Sequence, residues 1–304
     1  MSKKVALALA SGGPRGFAYI GAIEELLARG YEITSIAGVS AGSLVGGIYA
    51  AGGLQAFKEW LFGLDPVKVV SLMDFSVSKN YLVKGERVIS AIKERVPDVN
   101  IEELPIPFTA VATDLYTGEE VIFRKGPLFD AIRASISIPS MFKPAQINGR
   151  TLVDGGMVNT FPLNRVERTP GDILVGFNVN QIDAAQIQGY LDSMAALQRE
   201  KADKNLLGRI ETTLLELRLV ANASEDHLPV NASDNMIKIL QRSFGIMNCT
   251  IARMGIELSR PDILVDLPFD TYHGVYGYSH AREISERGRQ LMAEALDHYE
   301  QSHA

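Results

Sequence analysis

Residues 33–51 read ITSIAGVSAGSLVGGIYAA, and this stretch limits the fold more than any other. Alternating apolar residues lead into Gly38-Val39-Ser40-Ala41-Gly42, and a run of small and apolar residues follows. The pattern predicts a buried strand, a sharp turn and a buried helix, with Ser40 on the turn. Backbone crowding at such a turn is relieved by glycine two residues before and two after the serine, and the hydroxyl is pushed outward. This is the geometry of a nucleophile elbow. Two plainer readings compete. Residues 33–57 carry no charge and are long enough to span a bilayer, but six glycines, three serines and a glutamine make a poor hydrocarbon-facing helix. Alternatively, Ser40 merely caps the helix that follows it.

The chain has 304 residues, 46% hydrophobic and 22% charged, which is enough to bury a large core. The apolar run Val5–Ala10 after two lysines is too short for a secretory signal and leads straight into glycines, so it reads as the first strand. Cys249 is the only cysteine, which excludes an intrachain disulfide and gives no sign of an oxidising compartment; cytoplasm is the default. A net charge of −6 without a basic run argues against nucleic acid as a partner. There is no His-x-x-x-His and no cysteine cluster, so neither a metal nor another cofactor is expected.

Taken in order, Val5–Ala10 is followed by Ser11-Gly12-Gly13-Pro14-Arg15-Gly16 and an amphipathic helix to Arg29. The glycine loop lacks the ending of a P-loop, but it offers free N–H groups at a helix start, where an oxyanion would bind. Helices are expected at 54–62, 84–96 and 128–135, a hairpin around Tyr116-Thr117-Gly118, and strands at 150–153 and 172–179. Asp154-Gly155-Gly156 closes one of these strands. Strands alternating with helices imply a largely parallel sheet covered on both faces. From 181 to 260 three apolar stripes at helical spacing predict a helical insertion in a single 304-residue domain. That insertion either packs on the body of the protein or serves as a lid, an acyl-chain tunnel or a dimer surface. A strand at 263–265 and a helix at 281–298 return to the α/β pattern.

Three glycine-bearing segments thus stand at expected strand ends, and acyl transfer needs three things: a nucleophile, a base and donors for an oxyanion. In this order the segments resemble the patatin-like phospholipase family. Its pattern is a G-G-G-x-Arg/Lys-Gly loop, a G-x-S-x-G elbow and an Asp-Gly-Gly/Ala triplet. Ala134-Ser135-Ile136-Ser137-Ile138-Pro139 also resembles the family's segment before the aspartate. Ser11 stands where the family's loop has its first glycine.

The resemblance implies a three-layer α/β/α fold and hydrolysis of lipid acyl esters by a Ser–Asp dyad. Ser40 would be the nucleophile and Asp154 its base. The backbone of Gly12, Gly13 and Pro14 would face the oxyanion, with Arg15 and Gly16 beside it. Since Pro14 has no N–H, Arg15 or Ala41 would help to supply donors. Gly38, Gly42, Gly155 and Gly156 would shape the turns. The implied partner is a lipid acyl ester, with peripheral membrane contact and homo-oligomers both left open. A thioesterase or acyltransferase with the same dyad, a non-catalytic lipid-binding protein, and an α/β-hydrolase with a histidine triad are the alternatives.

Overall fold

The computed structural model describes residues 3–74, 81, 83–182, 188, 192, 196, 199, 236–268, 272 and 277–303. Among the described residues eight strands form one sheet: β1 (Lys4–Leu9), β2 (Glu32–Val39), β3 (Phe108–Asp114), β4 (Glu120–Phe123), β5 (Ala145–Ile147), β6 (Arg150–Asp154), β7 (Ile173–Gln181) and β8 (Ile263–Pro268). Their order is β5-β6-β3-β2-β1-β7-β8, with β4 also on β3. The five strands from β3 through β2, β1 and β7 to β8 are parallel, while β4 and β6 run antiparallel to β3, and β5 antiparallel to β6.

The central strand β1 explains the two layers around the sheet. Its side chains alternate, so Val5, Leu7 and Leu9 fill one face and Ala6, Ala8 and Ala10 the other. The bulky face is covered by α1 (Ala18–Ala28), α2 (Ala41–Ala50), α3 (Leu54–Phe62), α5 (Glu86–Lys93), α6 (Leu128–Ser135) and α8 (Ala281–Ser302). The alanine face is shallow and accepts Phe161, Leu163 and Val166, together with Ala252 of α7 (Met236–Ser259). Helices α1 and α8 cross at two glycines: a Cβ on Gly21 would stand 1.9 Å from the Ser285 carbonyl oxygen, and one on Gly288 2.0 Å from that of Ala18. This close crossing locks the C-terminal helix to the first one.

The expected helix at 84–96 is shorter than the pattern suggested, because Gly85 takes φ 81° and starts α5 only at Glu86. The irregular stretch after Asp65 contains a helix not read from the sequence, α4 (Pro66–Leu72), started by Pro66 and capped by Asp65, whose carboxylate accepts from the Lys68 N–H at 2.9 Å. Of the three helical stripes, those at 187–197 and 207–217 lie outside the described residues, apart from 188, 192 and 196. The third is α7, which packs on the far face of β7. No helix among the described residues is long and apolar enough to cross a membrane.

Candidate active site

Strand β3 brings Ser40 and Asp154 together by dividing one of its edges between two partners. One edge pairs with β4 along Ala110–Thr113. The other carries β2 along Phe108–Val111 and then β6 along Ala112–Asp114. Val39 therefore sits opposite Val111 and Asp154 opposite Ala112, one residue further along. The two strands meet end to end. In the largely parallel sheet that the sequence implies, both residues would leave the carboxyl edge. In the structure β6 is antiparallel to β3, so Asp154 arrives from the opposite direction, and Ser40 and Asp154 sit where the C-terminal ends of β2 and β6 meet.

Ser40 has φ 53° and ψ −120°, a region L-residues rarely occupy, which costs on the order of 1–3 kcal/mol and persists only when the surroundings enforce it. They do so in three ways. The Ser40 N–H donates to Ser135 Oγ at 2.8 Å, and the Ser135 hydroxyl donates to the Val111 carbonyl at 2.6 Å. The Ser43 hydroxyl donates to the Ser40 carbonyl at 2.7 Å. A Cβ on Gly38 would lie 2.3 Å from the Gly42 oxygen, and one on Gly42 2.2 Å from the Leu9 oxygen, so strand and helix pass where only glycine fits. The Ser40 side chain makes no capping bond to α2, which removes the helix-cap reading of this serine.

Asp154 is buried. Its Oδ1 accepts from the Gly156 N–H at 2.8 Å, and its Oδ2 has no hydrogen-bond partner among the described residues. Burial pushes the carboxyl up to about 6, against the smaller opposing effects of the Ser40 hydroxyl and the Gly156 N–H. The Ser40 hydroxyl is thus near enough to favour the carboxylate, although it does not close a hydrogen bond on Oδ2. The Ala134–Pro139 segment serves both halves: Ser135 holds the elbow, and the Ser137 carbonyl accepts from the Asp154 N–H at 2.9 Å. A Cβ on Gly155 would strike the Val111 oxygen at 2.3 Å, so the triplet lies flat against β3.

The loop from Ser11 to Gly16 runs beside the elbow. A Cβ on Gly16 would be 2.3 Å from that of Ala41, and Pro14 sits in the first turn of a short 3-10 helix, Gly13–Phe17. The N–H groups of Gly12 and Gly13 make no hydrogen bond among the described residues. With the free N–H groups at the start of α2, Ala41 among them, they form a field suited to an anion. Arg15 is no solvated cation: it is buried, and its Nε donates to the Val179 carbonyl at 2.9 Å, bracing the loop from below. Among the described residues no cluster of three or more His, Cys, Asp or Glu could hold a metal ion.

Ser40, Ala41 and Gly13 open onto an apolar pocket of about 970 Å³, its open mouth included. Its walls come from α2 and α3 (Leu44, Phe57, Trp60, Leu61), from α4 and α5 (Val69, Leu72, Val88, Ile92) and from Ile136, Ile138, Met141 and Phe142. Tyr278 also lines it, its phenol pushed up to about 12 by burial. The sequence leaves 181–260 either packed on the body or serving as an acyl-chain cover, and none of its described residues lines this pocket.

The patatin-like phospholipase model matches residues 7–166, just over half of the chain, and so spans the loop, the elbow and the Asp154 triplet. The chain belongs to that family. An uncharacterised NTE family protein of Mycobacterium tuberculosis strain H37Rv, Rv1063c, is 34% identical, covering 98% of this chain and 93% of its own. The patatin-like phospholipase domain-containing protein ZK370.4 of Caenorhabditis elegans is 28% identical over 64% of this chain and 15% of its own. Among solved structures, VipD from Legionella pneumophila aligns with a TM-score of 0.41 at 13% identity, covering 97% of this chain and 67% of its own.

Within this patatin-like frame, Gly13, Ser40 and Ala41 line one pocket and Asp154 lies near the Ser40 hydroxyl, while Gly16 packs against Ala41 and Arg15 is tied to Val179. Sequence reasoning missed Ser135, Tyr278 and Asn180. The first was visible as part of a motif without a stated role. Tyr278 lies far along the chain in a segment without a pattern of its own, and Asn180 reads only as the end of the strand expected at 172–179.

Proposed function

We propose that this protein hydrolyses acyl esters of lipids through an acyl-Ser40 intermediate. Asp154 takes the Ser40 proton as Oγ attacks the ester carbonyl, and the N–H groups of Gly12, Gly13 and Ala41 receive the tetrahedral oxyanion. Collapse expels the alcohol, which takes the proton from Asp154. Water then enters, gives its proton to Asp154 as it attacks the acyl-enzyme, and the proton returns to Ser40 as the fatty acid leaves. One observation carries the reading: Ser40 lines an apolar pocket, its hydroxyl is not used for capping, and it acts on a buried carboxyl whose Oδ2 has no partner among the described residues.

A fluorophosphonate probe followed by peptide mapping tests this. Modification at Ser40 alone, with release of fatty acid from lysophospholipid and phospholipid, is the expected result. Labelling at a different serine would defeat the assignment. Cleavage of thioesters in preference to oxyesters, or acyl transfer to an added alcohol or thiol instead of water, would move the same dyad to a thioesterase or acyltransferase.

The pocket walls also make a prediction about chain length. Val88 is half-buried on α5 and faces the pocket, so Val88→Phe takes space from an acyl chain without touching Ser40. One methylene in an apolar site is worth about 10-fold or more in discrimination. The variant should therefore shift preference towards shorter esters by roughly that factor in kcat/KM ratios. An unchanged chain-length profile would return that role to residues 181–260.

A further inference from the structure

We propose that Asn180 is a positioning residue that aims the Gly12 N–H at the oxyanion; the inference rests on the acyl hydrolase reading above. Asn178 and Asn180 are both buried at the end of β7, where primary amides are tolerated only when hydrogen-bonded. Asn178 Nδ2 donates to Asp266 Oδ1 on β8 at 2.7 Å. A carboxylate accepts only, so this bond fixes which way the Asn178 amide faces, and its Oδ1 is left to accept from the Asn180 N–H at 3.0 Å. The β7–β8 register breaks between Asn178 and Gln181, an irregularity of the kind that re-aims a side chain out of a ladder.

Asn180 Nδ2 then donates to the Ser11 carbonyl at 2.6 Å. The Ser11 C=O and the Gly12 N–H belong to one planar trans peptide and point in opposite directions. Holding the carbonyl towards β7 therefore turns the Gly12 N–H away from β7. This N–H has no partner among the described residues. The other end of Ser11 is tied as well, its N–H donating to the Thr160 carbonyl at 2.8 Å, so the peptide has little freedom to rotate. Asn180 Oδ1 is itself buried with no hydrogen bond among the described residues, which marks Nδ2 as the atom for which the amide is kept. The relay from Asp266 through Asn178 and Asn180 ends on a donor that matters only once charge develops on the substrate oxygen.

Asn180→Leu keeps the volume and deletes the donor, and Asn180→Asp keeps the shape and places an acceptor against the Ser11 carbonyl. On a short soluble ester each should lower kcat by about 10- to 100-fold with KM within about threefold, because a misaimed oxyanion donor weakens the transition state and not the ground state. Thermal unfolding selects the variant that folds, and either one decides the matter. An unchanged kcat, or a raised KM at unchanged kcat, would overturn the proposal. Wild-type protein labelled at Ser40 together with unaffected Asn180 variants would sink this inference alone. Wild-type protein not labelled at Ser40 would remove the reading it rests on.

Discussion

Ser40→Ala should lose ester hydrolysis by about 10⁴-fold or more, since removing the nucleophile of a cooperating set removes nearly all of its catalysis. Folding should survive. The bonds that hold the elbow are made by the Ser40 backbone, whose N–H reaches Ser135 and whose carbonyl accepts from Ser43, and alanine keeps both. The hydroxyl makes no capping bond, so its loss should change stability by no more than about 1 kcal/mol. Ser40→Gly sharpens the test. Glycine reaches φ 53° without the steric penalty of an L-residue, so this variant should be as inactive as the alanine variant and at least as stable. Activity retained in either one, measured with short esters beside urea unfolding, would mean that the elbow is a structural turn and the chemistry lies elsewhere.

The sequence was legible where local chemistry and global fold agree. Gly38 and Gly42 flanking Ser40 announce a turn that only glycine allows, and the backbone there takes that form. It was illegible where function depends on pairing between distant segments. Nothing local in Arg150–Asp154 says that the strand runs antiparallel, because an apolar residue pattern is the same in either direction. The pocket escaped for a related reason. Its walls are drawn from separate helices and a loop, and a stripe such as Val88 and Ile92 on α5 does not say which other elements it faces, whereas α7 shows a stripe and yet uses Ala252 to cover the alanine face of the sheet. Asn180 looked like a strand end. Its role comes from a register break and from a loop 169 residues earlier, neither of which periodicity records.

Asp154→Asn should be nearly as inactive as Ser40→Ala, and more stable than the wild type at neutral pH. The buried carboxyl has its pKa raised from 3.8 to about 6, so the folded protein holds this proton more tightly than the unfolded chain does. Stability from this group is complete below about pH 4 and is lost as pH rises through about 6; a gap of roughly two pH units corresponds to about 3 kcal/mol. Asparagine does not titrate, and its amide can donate to the Ser40 hydroxyl where Oδ2 now lacks a partner. The variant's unfolding midpoint should therefore exceed the wild type's at pH 8 and approach it at pH 4, other groups cancelling in the difference. The same shift sets the pH–rate curve: kcat/KM should fall below about pH 6 on a single protonation. That limb lies close to the one a histidine base would give near 6.5, so burial removes the separation expected of an ordinary carboxylate, and substitutions must decide. Among the described histidines, His280 is exposed and its Nδ1 lies 3.2 Å from Glu283, while His298 and His303 belong to the C-terminal helix and its end. His227 and His273 lie outside the described residues. Alanine at each of the five should leave most of the activity and the limb unchanged. One histidine variant as inactive as Ser40→Ala, still folded, would replace the dyad by a triad; an Asp154→Asn protein destabilised equally at pH 4 and pH 8 would make Asp154 a structural carboxylate rather than the base.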